Sequence, residues 1–262
     1  MLTCRFFQER KRKVDIILDN SQKIELRWLG HACFTVKYKG YTVLIDPYNS
    51  DYTPGYPKLH AAADRLLVSH EHYGHNYREG VTLSGRPESD CPFEITTLKV
   101  MHDSVGGIMR GSCLIHILEA DGYKLVHMGD VGTQLHAGEE GRIFGADALM
   151  LTAGSCTGLP AQESWRLTER VFPRVILPMH YRFGNHGARR LEHIENFTDL
   201  FEAPEMIHRY DTDTLVIDRD TEPQVAVLQY REGGAAPGKP SDFQSSPAPR
   251  RRLFPWTKNG RE

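Results

Sequence analysis

The sequence predicts an α/β protein whose functional residues gather at one edge of its sheets. Short apolar runs at 66–68 and 148–152 have the length and composition of buried strands. The segment 161–172 has the apolar spacing of a helix. Histidine or aspartate stands at the end of five predicted strands. The loops that follow these strands are therefore expected to converge on one site.

Turn residues and apolar periodicity divide the chain into elements. Residues 23–36 are strand material with the turn-prone Gly30 inside it. Lys39-Gly40 marks the tip of a hairpin that leads into a strand at 42–45, and Asp121-Gly122 marks a second hairpin. The other predicted elements are a short helix at 59–65, strands at 95–100, 175–177, 214–217 and 224–229, and a helix at 191–201.

Composition favours a soluble cytoplasmic protein. The chain has 262 residues, is 40% hydrophobic and carries a net charge of −2, with 34 acidic and 32 basic residues. This balance gives no field that would attract nucleic acid or an anionic membrane. No apolar run reaches the ~18–20 residues that span a bilayer. Five scattered cysteines without a C-x-x-C pair are typical of reduced thiols in the cytoplasm.

Three histidines with H-x-H-x-x-H spacing follow the apolar run 66–68. In an extended segment His70 and His72 point to the same side and can reach one ion, whereas His75 lies past the turn. The other strand ends carry Asp46, His102, Asp130 and His180. Imidazole with carboxylate suits zinc, manganese or iron better than calcium or magnesium. These residues indicate a metal site, and a histidine-rich surface loop is the alternative for the three clustered histidines.

The chain resembles metallo-β-lactamase-fold hydrolases, of the branch similar to ascorbate-6-phosphate lactonases. The resemblance covers roughly residues 24–230, in which the motifs occur in the family's order. These motifs are Trp28-Leu29-Gly30-His31-Ala32, Leu44-Ile45-Asp46-Pro47, Ser69-His70-Glu71-His72, His102-Asp103, Arg110-Gly111, Gly129-Asp130 and Pro178-Met179-His180-Tyr181. The resemblance implies a four-layer αββα sandwich, two mixed β-sheets flanked by helices, with metal ions at one edge.

The resemblance also implies a set of site residues. The implied ligands are His70, His72 and His102 for a first ion, His75 and His180 for a second ion, and Asp130 as a bridge between the ions. Asp130 and His180 would also act in catalysis, by positioning the attacking water and by stabilising the oxyanion. Asp46 would orient a ligand histidine. Asp103 has either a structural or a substrate-polarising role.

Position 74 departs from the family motif H-x-H-x-D-H, in which the aspartate binds the second ion. Gly74 offers no side-chain oxygen. We therefore expect one tightly held ion, with zinc favoured over manganese or iron, and a weakened second site. Glu71 and Asp103 are nearby carboxylates that could compensate. The resemblance places His31 at a strand end near the site, and a buried structural role is the favoured interpretation of this residue.

The chain divides into three segments by composition. Residues 1–21 are a polar, basic N-terminal arm, and residues 22–231 form the metallo-β-lactamase-like domain. Residues 232–262, rich in Gly, Pro, Ser and Arg, are predicted to be disordered. Loops 48–60, 103–112 and 154–162 are expected to line the pocket. Tyr52, Tyr56 and Arg110 are candidates for substrate contact or for packing.

Two functions agree with this pattern. A metal-dependent hydrolase would use water whose pKa falls from ~15.7 towards ~7 on a divalent ion, and would attack an ester, lactone or phosphodiester of a small molecule. Gly74 favours the alternative, a degenerate family member with a binding or regulatory role. Retention of the other ligands favours the enzyme, with reduced activity. No nucleic-acid or membrane partner is expected, because the chain is not globally basic and lacks an extra binding domain.

Overall fold

The computed structural model describes residues 23–155 and 158–232, which form two mixed β-sheets around one hydrophobic core. The strands are β1 (Ile24–Gly30), β2 (Cys33–Tyr38), β3 (Tyr41–Ile45), β4 (Ala61–Ala63), β5 (Arg65–Leu67), β6 (Val81–Leu83), β7 (Glu94–Met101), β8 (Ser112–Ala120), β9 (Tyr123–His127), β10 (Ala148–Thr152), β11 (Val175–Met179), β12 (Ile207–Arg209), β13 (Thr214–Ile217) and β14 (Gln224–Val227). The helices are α1 (Ala137–Ile143), α2 (Ala161–Val171) and α3 (Glu195–Thr198), with 3₁₀ turns at Arg78–Gly80, Glu88–Asp90 and Pro204–Met206.

The five-stranded sheet has the strand order β13-β1-β2-β3-β5. Its pairs are antiparallel except for β3 and β5, which run parallel with Ile45 opposite Leu67. Every second residue of β1 is buried, as expected of a strand with one face on the core. Because β3 and β5 are parallel and in register, Asp46 and His70 leave the sheet at the same edge.

The seven-stranded sheet has the order β12-β14-β11-β10-β9-β8-β7. Strands β7, β8 and β9 form an antiparallel meander, and β9, β10, β11, β14 and β12 pair in parallel. All residues of β10 and β11 are buried, which explains their continuous apolar sequences. Helix α2 packs against β10. The ends of β7, β9 and β11 therefore present His102, Asp130 and His180 at one edge.

Trp28 of the five-stranded sheet packs against the seven-stranded sheet near this edge. Its ring is buried in the core and stacks on Tyr181, with centroids 5.5 Å apart. Its indole Nε1 donates a 3.0 Å hydrogen bond to the His31 carbonyl oxygen in the β1–β2 turn. A large aromatic with a satisfied N–H contributes both buried area and a fixed orientation. The turn that carries His31 is thereby held against the loop after β11.

Two mixed sheets with helices confirm the predicted fold class. The hairpins at Lys39-Gly40 and Asp121-Gly122, the strands at 148–152 and 175–177 and the helix at 161–172 are also found. The N-terminal arm and residues 233–262 lie outside the described residues. Within 23–155 and 158–232, no helix is long and apolar enough to cross a membrane.

The helix predicted at 59–65 is wrong. Residues 61–63 instead form β4, which pairs in parallel with β6. A three-residue apolar run is too short to nucleate a helix, and the neighbouring strand offers its backbone a ladder of hydrogen bonds. The single stretch predicted at 23–36 is likewise divided into β1 and β2, with a turn at His31-Ala32.

The helix predicted at 191–201 is reduced to the single turn α3. Glu192 is held outside a helix by backbone hydrogen bonds, since its N–H donates to Gly154 O at 2.9 Å and its carbonyl accepts from Arg182 N at 2.8 Å. Tertiary pairing with the loops after β10 and β11 therefore overrides the local helical periodicity.

Leu149→Ala should lower the free energy of unfolding by about 2–5 kcal/mol. Leu149 is 0% exposed in a central strand, so its truncation leaves a cavity in the core. Val216→Ala on β13 is the matched control, because Val216 is 48% exposed, and it should cost less than about 0.5 kcal/mol. Equilibrium denaturant unfolding measures both changes, and equal losses would contradict this placement of the core.

Candidate metal centre

The candidate site lies where the strands of both sheets end at a common edge. Among the described residues, three groups each offer ligand atoms that lie within 4.8 Å of one another. These groups are His70, His72 and His102 (the first histidine group), His31, His75 and His180 (the second histidine group), and Asp46 with His70 and His75.

The first histidine group joins the loop after β5 to the end of β7. Its ring centroids are 4.4 Å apart for His70–His102, 4.7 Å for His70–His72 and 4.8 Å for His72–His102. His102 Nε2 lies 3.0 Å from His72 Nδ1, close to the ~3.3 Å that separates two nitrogens of a tetrahedral zinc site. His70 Nε2 is buried without a hydrogen-bond partner among the described residues. These donors fit a divalent ion.

The second histidine group contains a residue that sequence reasoning had assigned to the core. His31 lies in the β1–β2 turn, with its ring 4.2 Å from that of His180 and 5.2 Å from that of His75. His180 N donates to His31 O at 3.1 Å, which couples the two sheets at this point. The signal in the sequence was the motif Trp28-Leu29-Gly30-His31-Ala32, through which the resemblance placed His31 at a strand end.

Asp130 lies between the two histidine groups. Its Oδ2 is 3.6 Å from His102 Nε2 and 3.7 Å from His180 Nε2. Its Oδ1 accepts a 2.8 Å hydrogen bond from Ser155 Oγ. A Cβ at Gly158 would lie 2.2 Å from Oδ1, so only glycine lets this loop close over the carboxylate. Burial alone would raise the pKa of Asp130, but the surrounding histidines and Ser155 hold it below its usual range.

Asp46 is fully buried beneath both histidine groups. Its Oδ2 lies 2.8 Å from His75 Nδ1 and accepts from Ser69 Oγ at 2.6 Å, and its Oδ1 accepts from Ser69 N at 2.7 Å. Ser69 Oγ in turn lies 2.9 Å from His70 Nδ1. With Nδ1 of both rings engaged in this way, Nε2 is the nitrogen available to an ion. This geometry fits the orienting role predicted for Asp46.

His70 and His180 are in the form that binds metals. Burial is the main cause that lowers the pKa of His70 to about 2 and that of His180 to about 4. Both rings are therefore neutral at pH 7, and neutral imidazole is the ligand.

The two carboxylates that could have compensated for Gly74 are engaged elsewhere. Asp103 accepts four backbone N–H groups, from Val105 and Gly107 on Oδ1 and from Met109 and Arg110 on Oδ2, at 2.8–3.1 Å. Burial would raise the pKa of Asp103, but these four donors lower it. Asp103 thus fixes the loop at 104–110.

Glu71 faces away from the histidine groups. It accepts a 3.1 Å hydrogen bond from Arg78 Nη2 and a second bond from Asn76 Nδ2. The side chain is largely exposed, in line with the strand alternation that pointed it away from the site.

A pocket of about 470 Å³ opens beside the first histidine group and is lined by His70, His72, Lys99 and Arg110 among others. Tyr52 stacks on Tyr73 of the histidine loop, with ring centroids 4.2 Å apart, and both rings are exposed. A larger cavity of about 520 Å³ on the five-stranded sheet contains none of the candidate ligands.

Tyr56 has a packing role. It is buried among the rings of Tyr48, Phe183 and Tyr230, with centroids 5.1–6.3 Å apart. Of the three predicted substrate contacts, Arg110 lines the pocket and Tyr52 is exposed on a loop beside the histidines.

Three comparisons with known proteins point to the same superfamily. Residues 25–180 match the model of a beta-lactamase superfamily domain. A UPF0173 metal-dependent hydrolase from Methanopyrus kandleri is 27% identical over 197 residues, which cover 60% of this chain and 84% of the relative. The crystal structure of a metallo-β-lactamase superfamily protein from Thermotoga maritima matches the fold with a TM-score of 0.59 at 22% identity, covering 79% of this chain and 100% of that chain. These matches confirm the predicted fold family, and they name UPF0173 hydrolases rather than the lactonase branch.

Asp46→Asn should weaken the binding of zinc about 10- to 100-fold. The amide keeps the shape of the carboxylate but loses the charge and one acceptor, so that His75 and Ser69 are no longer held in place. Competition with a chromogenic zinc chelator measures the affinity.

Asp64→Asn is the matched control for this substitution. Asp64 also accepts a backbone N–H (Thr42, 2.7 Å) and a serine hydroxyl (Ser84, 2.6 Å), but at the opposite end of β3. Its zinc affinity should equal that of the wild type. Equal affinities for Asp46→Asn and the wild type would count against an orienting role for Asp46.

Proposed function

Because the chain belongs to the beta-lactamase superfamily and is a metal-dependent hydrolase, we propose that it cleaves an ester, lactone or phosphodiester bond in a small anionic molecule. The observation that carries the proposal is the pair of histidine groups, one on each side of Asp130, next to a pocket with Lys99 and Arg110 on its wall. A divalent ion supplies, when bound, a lowered water pKa and polarisation of the scissile group.

The donor set supports zinc, with manganese or iron as the alternatives. The first histidine group offers three neutral nitrogens from His70, His72 and His102, and Asp130 adds a carboxylate within 3.6 Å of His102. Nitrogen donors with one carboxylate are typical of catalytic zinc sites, whereas calcium and magnesium prefer oxygen donors throughout. We assign the first ion to this group.

Asp130 and His180 take the catalytic roles in the proposal. Asp130 is ionised and its position is fixed by Ser155, so that it can orient the attacking water by accepting a hydrogen bond from it. His180 faces Asp130 from the opposite side at 3.7 Å. There its ring supports the negative charge that develops on the substrate oxygen.

Size and charge of the pocket support a small anionic substrate. A volume of about 470 Å³ falls within the range of about 300–1,000 Å³ that is typical of metabolite sites. Lys99, Arg110 and Glu71 line the pocket, and the negative charge of Glu71 is paired with Arg78 outside it, so that two cations remain on the wall. Basic walls raise the local concentration of anions. Asp103 fixes the backbone of Arg110 at 2.8 Å and so helps to hold this residue at the wall.

Metal removal should abolish hydrolysis of chromogenic phosphodiester, carboxylic ester and lactone probes. Chelated protein should lose turnover, and added Zn²⁺, Mn²⁺ or Fe²⁺ should restore it. His102→Ala should stay inactive after metal is added, because it removes a ligand of the first group. His208→Ala, an exposed histidine on β12, is the control and should behave as the wild type. Metal binding without turnover of any probe would support the binding or regulatory alternative.

Arg110→Ala should raise KM for an anionic phosphodiester about tenfold or more, the effect expected when a hydrogen bond to a charged group is lost. Arg110→Lys keeps the charge and should recover part of the loss. KM for a neutral ester should change little in both variants. Steady-state kinetics with the two probes gives the comparison, and equal effects on both would refute charge recognition by Arg110.

A further inference from the structure

We propose that His31 binds a second metal ion together with His75 and His180, and that Gly74 is the residue that makes room for its ring. This inference rests on the metal-dependent function proposed above and adds a ligand that the H-x-H-x-x-H motif does not contain. It replaces a weakened second site by a complete one.

The second histidine group has the properties of a ligand set. Ligand atoms of His31, His75 and His180 lie within 4.8 Å of one another, and the three residues are only 7%, 2% and 5% exposed. His31 Nδ1 and His180 Nδ1 are buried without a hydrogen-bond partner among the described residues. Buried polar atoms are normally satisfied, so unpartnered ring nitrogens in a group whose ligand atoms lie this close together support a cation site.

Gly74 explains how the ring of His31 enters this group. A Cβ at Gly74 would lie 3.0 Å from His31 Nε2 and 3.5 Å from His31 Cδ2. The edge of the imidazole therefore fills the space that a side chain at position 74 would need. A side chain at position 74 would crowd His31 in its present position, and the imidazole would have to move by a few tenths of an ångström. Gly74 therefore lacks the carboxylate ligand of the family motif but leaves space for the imidazole of His31.

The backbone holds His31 in this position independently of its side chain. His31 has a φ of +52°, a conformation that is costly for residues other than glycine. Its carbonyl accepts hydrogen bonds from His180 N at 3.1 Å and from Trp28 Nε1 at 3.0 Å. These two bonds keep the rings of His31 and His180 4.2 Å apart. Strain that is maintained by the surrounding structure is common at functional sites.

Asp130 makes the second site equivalent to the first. Its Oδ2 is 3.7 Å from His180 Nε2 and 3.6 Å from His102 Nε2. Each histidine group then has three imidazoles and a share of one carboxylate. Because the donors match, we expect two ions of comparable affinity rather than one tight ion.

The test is the number of ions per chain after loading with zinc and removal of excess metal, measured by elemental analysis and by calorimetric titration. The wild type should bind two ions and His31→Ala one. The double variant His31→Ala/Gly74→Asp should bind two again, because a carboxylate then takes the vacated space. His208→Ala, outside both groups, should bind two.

Folding of the variants is checked by circular dichroism. His31→Asn is the second variant, since asparagine tolerates a positive φ, and it should also bind fewer than two ions.

The outcomes separate this inference from the proposed function. Two ions in His31→Ala, or one in the wild type, would overturn the role of His31 and leave the hydrolase proposal intact. If the double variant binds only one ion, an aspartate at position 74 does not replace the ligand lost at position 31. This result would also overturn the proposed role of His31. A wild type that binds no metal would overturn both proposals.

Discussion

The buried carboxylate of Asp46 is the constraint on which the site depends. An ionised group at 0% exposure is tolerated only where donors surround it. Ser69 supplies a backbone N–H and a hydroxyl, and His75 supplies a ring nitrogen. Because Ser69 also contacts His70, one carboxylate sets the orientation of a histidine in each group. Both candidate metal positions therefore rest on a single electrostatic anchor at the end of β3.

The second constraint is that the two sheets must stay in register at this edge. Leu114 N of the seven-stranded sheet donates to Ser69 O at 2.8 Å, and His180 N donates to His31 O at 3.1 Å. Asp46, His31 and His180 all have φ values between +52° and +56°. Hydrogen bonds between the sheets compensate for this backbone strain. The ligands are thus placed by long-range backbone contacts, and flexible side chains have little freedom to move them.

Much of the fold was predictable because strands that are buried on both faces need apolar residues at every position. Strands β10 and β11 are buried on both faces and read as continuous apolar runs, and the histidines and aspartates that follow strands mark the site. Strand β4 and the shortened α3 were missed because pairing with distant segments outweighed local preference. The role of His31 could not be derived from spacing, since its neighbours His75 and His180 come from other loops. The effect of Gly74 could not be derived from the sequence either. In the sequence it is a lost ligand, whereas in the structure it is space that another ring occupies.

The exchange of a carboxylate for an imidazole also changes the charge of the proposed two-ion centre. Six imidazole ligands and the single negative charge of Asp130 would face two divalent ions, so more positive charge would stay uncompensated than with an aspartate at position 74. Lys99 and Arg110 on the pocket wall add to it. An anionic substrate would relieve this excess, because opposite charges attract strongly in a partly buried site. The ligand exchange at His31 and the basic pocket thus favour the same class of substrate.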